Sequence, residues 1–139
     1  LAGFLDGEGS FIISRYRSRL GYFVYEAIIQ ATNTDHRLTD EFQRLAPGSL
    51  VRVKRKHLNN HWRDGWLWRI KGRAVGDLCH RLLPHLKGKR EQARLLLKMR
   101  AQTHLGSKPG RWGTTLTPSE VASREELRSS VRKLNGKVS

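Results

Sequence analysis

Asp6 and Glu8 stand two residues apart in Asp6-Gly7-Glu8-Gly9, directly behind a short apolar run, and they are the side chains with the most chemistry to explain. Leu1, Phe4 and Leu5 fall at helical spacing, so the acids close the last turn of a helix that Gly9 ends. The unpaired carbonyls of a helix C-terminus already carry partial negative charge, so carboxylates there want a cation beside them. A divalent metal would meet that need. Gly3 and Gly7, four apart, leave one side of the same helix bare, where a second helix backbone could approach closely. A helix this short does not hold its own shape, so the reading expects further chain before Leu1.

The opening string Leu1-Ala2-Gly3-Phe4-Leu5-Asp6-Gly7-Glu8-Gly9 closely resembles the signature of the LAGLIDADG homing endonucleases, present here in one copy. In single-motif members two subunits pair through their motif helices, and the two sheets form a saddle lying in the DNA major groove. The resemblance implies a homodimer interface at Leu1, Ala2, Gly3, Phe4, Asp6 and Gly7. It implies Glu8 as the catalytic metal ligand, the Gly7 carbonyl as a second and weaker one, and Asp6 as the residue that caps and positions the helix end. Asn33 falls where the family often places a Gln near the scissile phosphate, and Arg37 and Lys89 match basic positions around the active-site solvent pocket. Two departures stand out: Glu for the commoner Asp at residue 8, and the shorter Asn for Gln at residue 33.

The implied activity is site-specific cleavage of both strands of a long, roughly palindromic duplex by an intron-encoded enzyme of a mobile element. The metal implied is Mg²⁺, a hard cation suited to oxygen ligands, with Mn²⁺ or Ca²⁺ able to substitute as bound ions. Two other functions fit the same family: an intron RNA maturase, and a cleavage-inactive DNA-binding regulator. The intact acid at Glu8 and the basic Lys89 count against the regulator. The implied setting is intracellular, in a chloroplast, a mitochondrion or a prokaryotic cytoplasm, which the sequence does not distinguish.

Composition points the same way. The 139 residues are enough for one compact domain and one core, and 27 Lys and Arg against 12 Asp and Glu give a formal charge of +15. Such a balance asks for a polyanionic partner, nucleic acid first, and the resemblance narrows that to double-stranded DNA. An acidic membrane surface is the rival, yet the chain has no long apolar run and no basic amphipathic terminus, so no membrane is expected. One Cys excludes an intrachain disulfide, and Cys79 among Leu78, Leu82 and Leu83 reads as a small buried hydrophobe.

The elements that must position the acids follow in order. Residues 10–19 and 22–32 read as an antiparallel hairpin turning at Leu20-Gly21, with Tyr25, Ala27, Ile29 and Ala31 as an apolar face. Val24, Glu26, Ile28, Gln30 and Thr32 make the face left to read a partner. Parity in the first strand is open: Ser14 and Tyr16 are the candidate readers, and Arg15, Arg17 and Arg19 point the other way. Thr34 or Asp35 caps a helix to about Leu45 with Leu38, Phe42 and Leu45 on its buried stripe, stopped by Pro47-Gly48. A third strand, 50–57, sets Val51 and Val53 on one side against Arg52, Lys54 and Lys56, whose cations suit phosphates and base edges. A fourth, 65–71, turns Trp66, Trp68 and Ile70 inward and leaves Leu67, Arg69 and Lys71 opposite.

Helices are expected at 74–83 and 90–102, with Lys87-Gly88-Lys89-Arg90 placing cations at a helix N-terminus, as if a phosphate lay nearby. Thr117-Pro118-Ser119-Glu120 opens a last, basic helix to Leu134 that could lie along the DNA backbone. His57-Leu58-Asn59-Asn60-His61 superficially resembles an HNH nuclease, but its ligands crowd into one loop, and contact with DNA backbone is the better reading. The whole is expected to be one α+β domain: motif helix 1–9, DNA-binding sheet 10–71 with an intervening helix, and helical part 72–139. Its pattern is αββαββα, a four-stranded antiparallel saddle-shaped sheet with helices on one face, which is also the fold the resemblance implies.

Overall fold

A computed structural model describes residues 1–53, 65–105 and 116–136. Lys54, Lys56 and the expected histidine loop lie outside the described residues, as does the Gly-rich stretch 106–115. The elements run α1 (Ala2–Glu8), β1 (Gly9–Arg17), β2 (Phe23–Asn33), α2 (His36–Leu45), β3 (Ser49–Val53), β4 (Gly65–Lys71) and α3 (Arg73–Leu82). A 3₁₀ turn at Leu83–His85, α4 (Arg90–Leu105) and α5 (Pro118–Leu134) complete the described chain.

The strands form one antiparallel sheet in the order β1-β2-β4-β3. Alternation along the strands decides its two faces. Phe11 and Ile13 on β1, Tyr25, Ala27, Ile29 and Ala31 on β2, and Trp68 and Ile70 on β4 are all buried on the side that carries the helices. The helices meet them with Val75, Leu78, Cys79 and Leu82 from α3, Ala93, Leu96 and Met99 from α4, and Leu127 and Val131 from α5. Trp68 is wholly buried, and its indole N–H donates to the Ala46 carbonyl over 3.0 Å, so the expected core role of this tryptophan holds. Trp66, half-buried, meets the His36 ring edge-on.

Two helices depart from the expected pattern. On α2, Leu38 is exposed, and Thr39 takes the buried place beside Phe42 because its hydroxyl can donate to the His36 carbonyl within the helix. On α5 the basic stripe is mostly spoken for: Arg124 is buried with its Nη2 at 3.6 Å from Glu120, and Arg128 pairs with Glu125. That helix packs against β1 and α4. Among the described residues no helix is long and apolar enough to cross a membrane.

Candidate functional site

α1 is anchored by one side chain and closed by another. Leu5 is fully buried in the core. At Gly9 the chain turns from helix to strand with so little room that a Cβ would stand 2.6 Å from the Leu5 side chain, which only glycine avoids. The Lys89 ammonium then donates to the Leu5 carbonyl at 3.0 Å and to the Gly9 carbonyl, placing a positive charge where the helix dipole is negative.

Asp6 looks the other way. Its carboxylate accepts from the backbone N–H of Lys87 at 2.8 Å and of Lys89 at 3.0 Å, just ahead of the first turn of α4. Partial burial works to raise the Asp6 pKa, and those N–H bonds, with Lys89 nearby, outweigh it and hold the group below 3.8. Asp6 therefore positions a helix end as expected, but the start of α4 and not its own. The anion anticipated at the Lys87-Gly88-Lys89-Arg90 segment is this carboxylate.

Glu8 stands between these two clamps and takes part in neither. Its side chain is exposed and has no hydrogen-bond or ion-pair partner among the described residues. Beside it Gly3 and Gly7 are exposed, and a Cβ built on either would meet nothing within 4 Å. Next to this helix end lies a cavity of about 290 Å³ lined by Gly9, Ser10, Ile12, Lys89, Gln92, Leu134 and Asn135. Its polar walls suit ordered water. Asn135 also donates to the Phe11 carbonyl at 2.9 Å, tying the end of α5 to edge strand β1. Ser10, Gln92 and Asn135 are residues the sequence did not single out, because only the fold brings them to Lys89.

The dimer-interface candidates divide accordingly. Gly3 and Gly7 are open, and Leu1 and Ala2 are half-buried beside a second cavity of about 340 Å³. Phe4 is turned inward, its ring 4.7 Å from that of Phe42, and Asp6 is occupied by the α4 start. Neither of these two side chains is free for a partner helix, because each already holds α1 to its own chain.

Asn33 ends β2, and Arg37 follows in the first turn of α2. The Asn33 carboxamide oxygen accepts from the Asp35 N–H at 2.7 Å, and Asp35 in turn caps α2 by accepting from the Arg37 N–H at 3.0 Å. The Arg37 guanidinium also donates to Asp35 at 2.8 Å and holds that carboxyl down to about 2. The Gly9–Ala31 pairing brings this end of β2 alongside the helix-to-strand turn that carries Glu8. Lys89 lines the 290 Å³ cavity, whereas Asn33 and Arg37 do not.

The register settles the open sheet face. Ser14 pairs with Glu26, Tyr16 with Val24 and Gln30 with Arg69, all on the side away from the helices, while Arg15 faces inward to Glu125 at 3.1 Å. Ser14 and Tyr16, not the arginines, therefore share the open face. There Arg69 Nε donates to Gln30 Oε1 over 2.9 Å, and Lys71, which was not among the candidate readers, stands 3.9 Å from Glu26. Two candidates are corrected. Ile28 lies on this face but is buried, covered by its neighbours. Arg52 pairs across β4 with Trp66, on the helix side, whereas Val51 and Leu67 share the open face with Thr32.

No protein-family model matches the sequence, and no curated protein sequence does. Solved structures do match its fold. The homing endonuclease I-CvuI, in complex with the I-CreI target in the presence of Mg and with the DNA not cleaved, superposes with a TM-score of 0.70 at 20% identity over 96% of this chain and 78% of its own. The archaeal intron-encoded homing endonuclease I-Vdi141I complexed with DNA gives 0.74 at 12% identity, over 96% and 80%. The LAGLIDADG homing endonuclease I-LtrWI bound to target DNA gives 0.70 at 17% identity, over 93% of this chain but 42% of that one. The fold is that of the LAGLIDADG homing endonucleases.

Proposed function

We propose that this chain is a LAGLIDADG-type, site-specific endonuclease for double-stranded DNA that works as a homodimer, α1 of one copy lying against α1 of the next. The observation that carries the reading is the pairing of an exposed Glu8 carboxylate, without a partner among the described residues, with an open Gly3–Gly7 strip on the same short helix. Bare glycines permit close helix approach, and close approach would bring two Glu8 side chains together. A second copy would set a second Glu8 carboxylate beside the first, a pair that Mg²⁺ accepts together with phosphate oxygens and waters. I-LtrWI fits this arithmetic: less than half of that chain corresponds to this one.

The donors suit Mg²⁺, which commonly keeps several waters and takes one or two carboxylates together with phosphate oxygens. Glu8 and the Gly7 carbonyl would hold it; when bound, the ion supplies Lewis-acid polarisation of the phosphate and a water of lowered pKa. The chain's own residues do the rest. Lys89, fixed by two carbonyls beside Glu8, offsets charge that grows on the phosphate, and the polar cavity next to it supplies water. Ser14, Tyr16, Glu26, Gln30 and Arg69 face the groove, Gln suiting adenine and Arg suiting guanine. Two identical half-sites favour a target with approximate dyad symmetry.

Glu8→Gln tests the reading on a duplex selected from a randomised library. It should bind its target as the parent does and lose cleavage by about 10³ or more, the rate equivalent of several kcal/mol of lost charge stabilisation. Undiminished nicking would remove Glu8 from the mechanism.

A further inference from the structure

The open sheet face is not uniformly polar. Its residues line up in rows across the strands: Ser10, Gln30, Arg69 and Ser49 stand side by side in one, and Thr32, Leu67 and Val51 in the next, nearer the turn that carries Glu8. That second row has methyl groups and no charge. Val51 is 51% exposed, and Leu67 and Thr32 are half-buried. The threonine methyl lies toward β4, since a Cβ built on Gly65 would stand 3.4 Å from Thr32 Cγ2. Among the described residues Val51 and Tyr16 are the large apolar side chains exposed on this face, and Tyr16 sits at the far end of β1. Ile28, in the row beyond Arg69, is buried.

An apolar row set into a hydrogen-bonding surface is covered only by an apolar feature of the partner. The major-groove edges of the bases offer one, the C5-methyl group of thymine; their other features are hydrogen-bond donors and acceptors. Strand geometry says where that methyl must lie. Successive rows on one face of a strand are two residues, about 7 Å, apart, which matches about two base-pair steps of a duplex whose axis the strands follow.

We propose that Thr32, Leu67 and Val51 together read a thymine methyl, and so fix one T·A pair in each half-site about two base pairs nearer the centre of the target than the base met by Arg69. This specificity rests on the duplex-reading role proposed above for the sheet face, and gives that role a base and a position. Arg69 is the ruler, because its Nε is held by Gln30 at 2.9 Å in the adjoining row. Discrimination here comes from burying a methyl group rather than from a hydrogen bond, so it is modest in one half-site and is doubled by a second copy of the chain.

A randomised duplex library enriched for binding to the Glu8→Gln protein, then sequenced, should return T at one position of each half-site, about two base pairs inward of the position whose preference Arg69→Gln removes. Replacing that T by deoxyuridine deletes the methyl and leaves base pairing intact. It should weaken binding about fourfold when made in one half-site and about fifteenfold when made in both. The double variant Val51→Ser/Leu67→Gln should bind the T and deoxyuridine duplexes alike while keeping the preference that depends on Arg69, which reports that the sheet is still folded. If the unsubstituted chain cuts the duplex while T and deoxyuridine bind alike, or if the double variant still tells them apart, the inference is overturned and the endonuclease reading stands. T-dependent binding of a duplex that the unsubstituted chain fails to cut does the reverse, and a library from which no duplex is enriched overturns both.

Discussion

α1 and α5 are opposites in how they are supported. α5 has 17 residues and its own start signal: the Thr117 hydroxyl accepts from the Glu120 N–H, the Glu120 side chain answers at the Thr117 N–H, and Pro118 opens the first turn. α1 has seven residues and no side-chain cap at its N-terminus. What α1 lacks in itself it draws from elsewhere: Leu5 in the core, Phe4 on Phe42, Asp6 on the α4 start and Lys89 on its last carbonyls. Every side chain of α1 from Phe4 to Asp6 is spent on holding it, and the Gly3–Gly7 side and Glu8 are spent on nothing among the described residues. A helix held by the rest of the molecule, with one face kept bare, is built for what it presents.

That contrast can be broken in graded steps. Leu5→Ala should cost about 3 kcal/mol in global stability, the usual range for deleting a fully buried leucine side chain, as read by urea denaturation. Asp6→Ala should cost about 1.5 kcal/mol, since it removes a charged acceptor from two backbone N–H groups. The sign of its pH dependence follows from the lowered folded pKa. The contribution is whole above the unfolded value near 3.8 and fades as pH falls through the lower folded value, so parent and variant should converge in acid. Thr117→Ala should cost about 1 kcal/mol by loss of a cap and leave DNA cleavage untouched, which would sharpen the distinction between a self-supporting helix and a presented one.

The sheet was largely legible in the sequence because period-two alternation of large apolar residues leaves little freedom: Tyr25, Ala27, Ile29 and Ala31 could only be a core face. The first strand was ambiguous because Ile12 and Ile13 are adjacent and serve either parity; pairing with β2 decides it for Phe11 and Ile13. Arg52 shows the limit of the method. Alternation correctly separated it from Val51, but an edge strand's pattern says which residues share a side and not which side faces outward. The acid proposed as metal ligand, Glu8, comes from a local string. The partners of Asp6 and Lys89 were not legible, since each contact bridges 80 or more positions of chain. For the same reason the polar cavity made by Ser10, Gln92 and Asn135 around Lys89 left no trace in the spacing of residues.

The most direct test of the pairing is covalent. Gly3→Cys places a thiol on the open side of α1, and the native Cys79 does not compete, being buried with its thiol pushed up to about 12. Treated with a short bis-maleimide in the presence of target DNA, Gly3→Cys should run as a covalent dimer, while a control Ala122→Cys on the exposed side of α5 should stay monomeric. A Gly3→Cys protein that still cuts its target, yet gives no more cross-linked dimer than the control, would contradict the account.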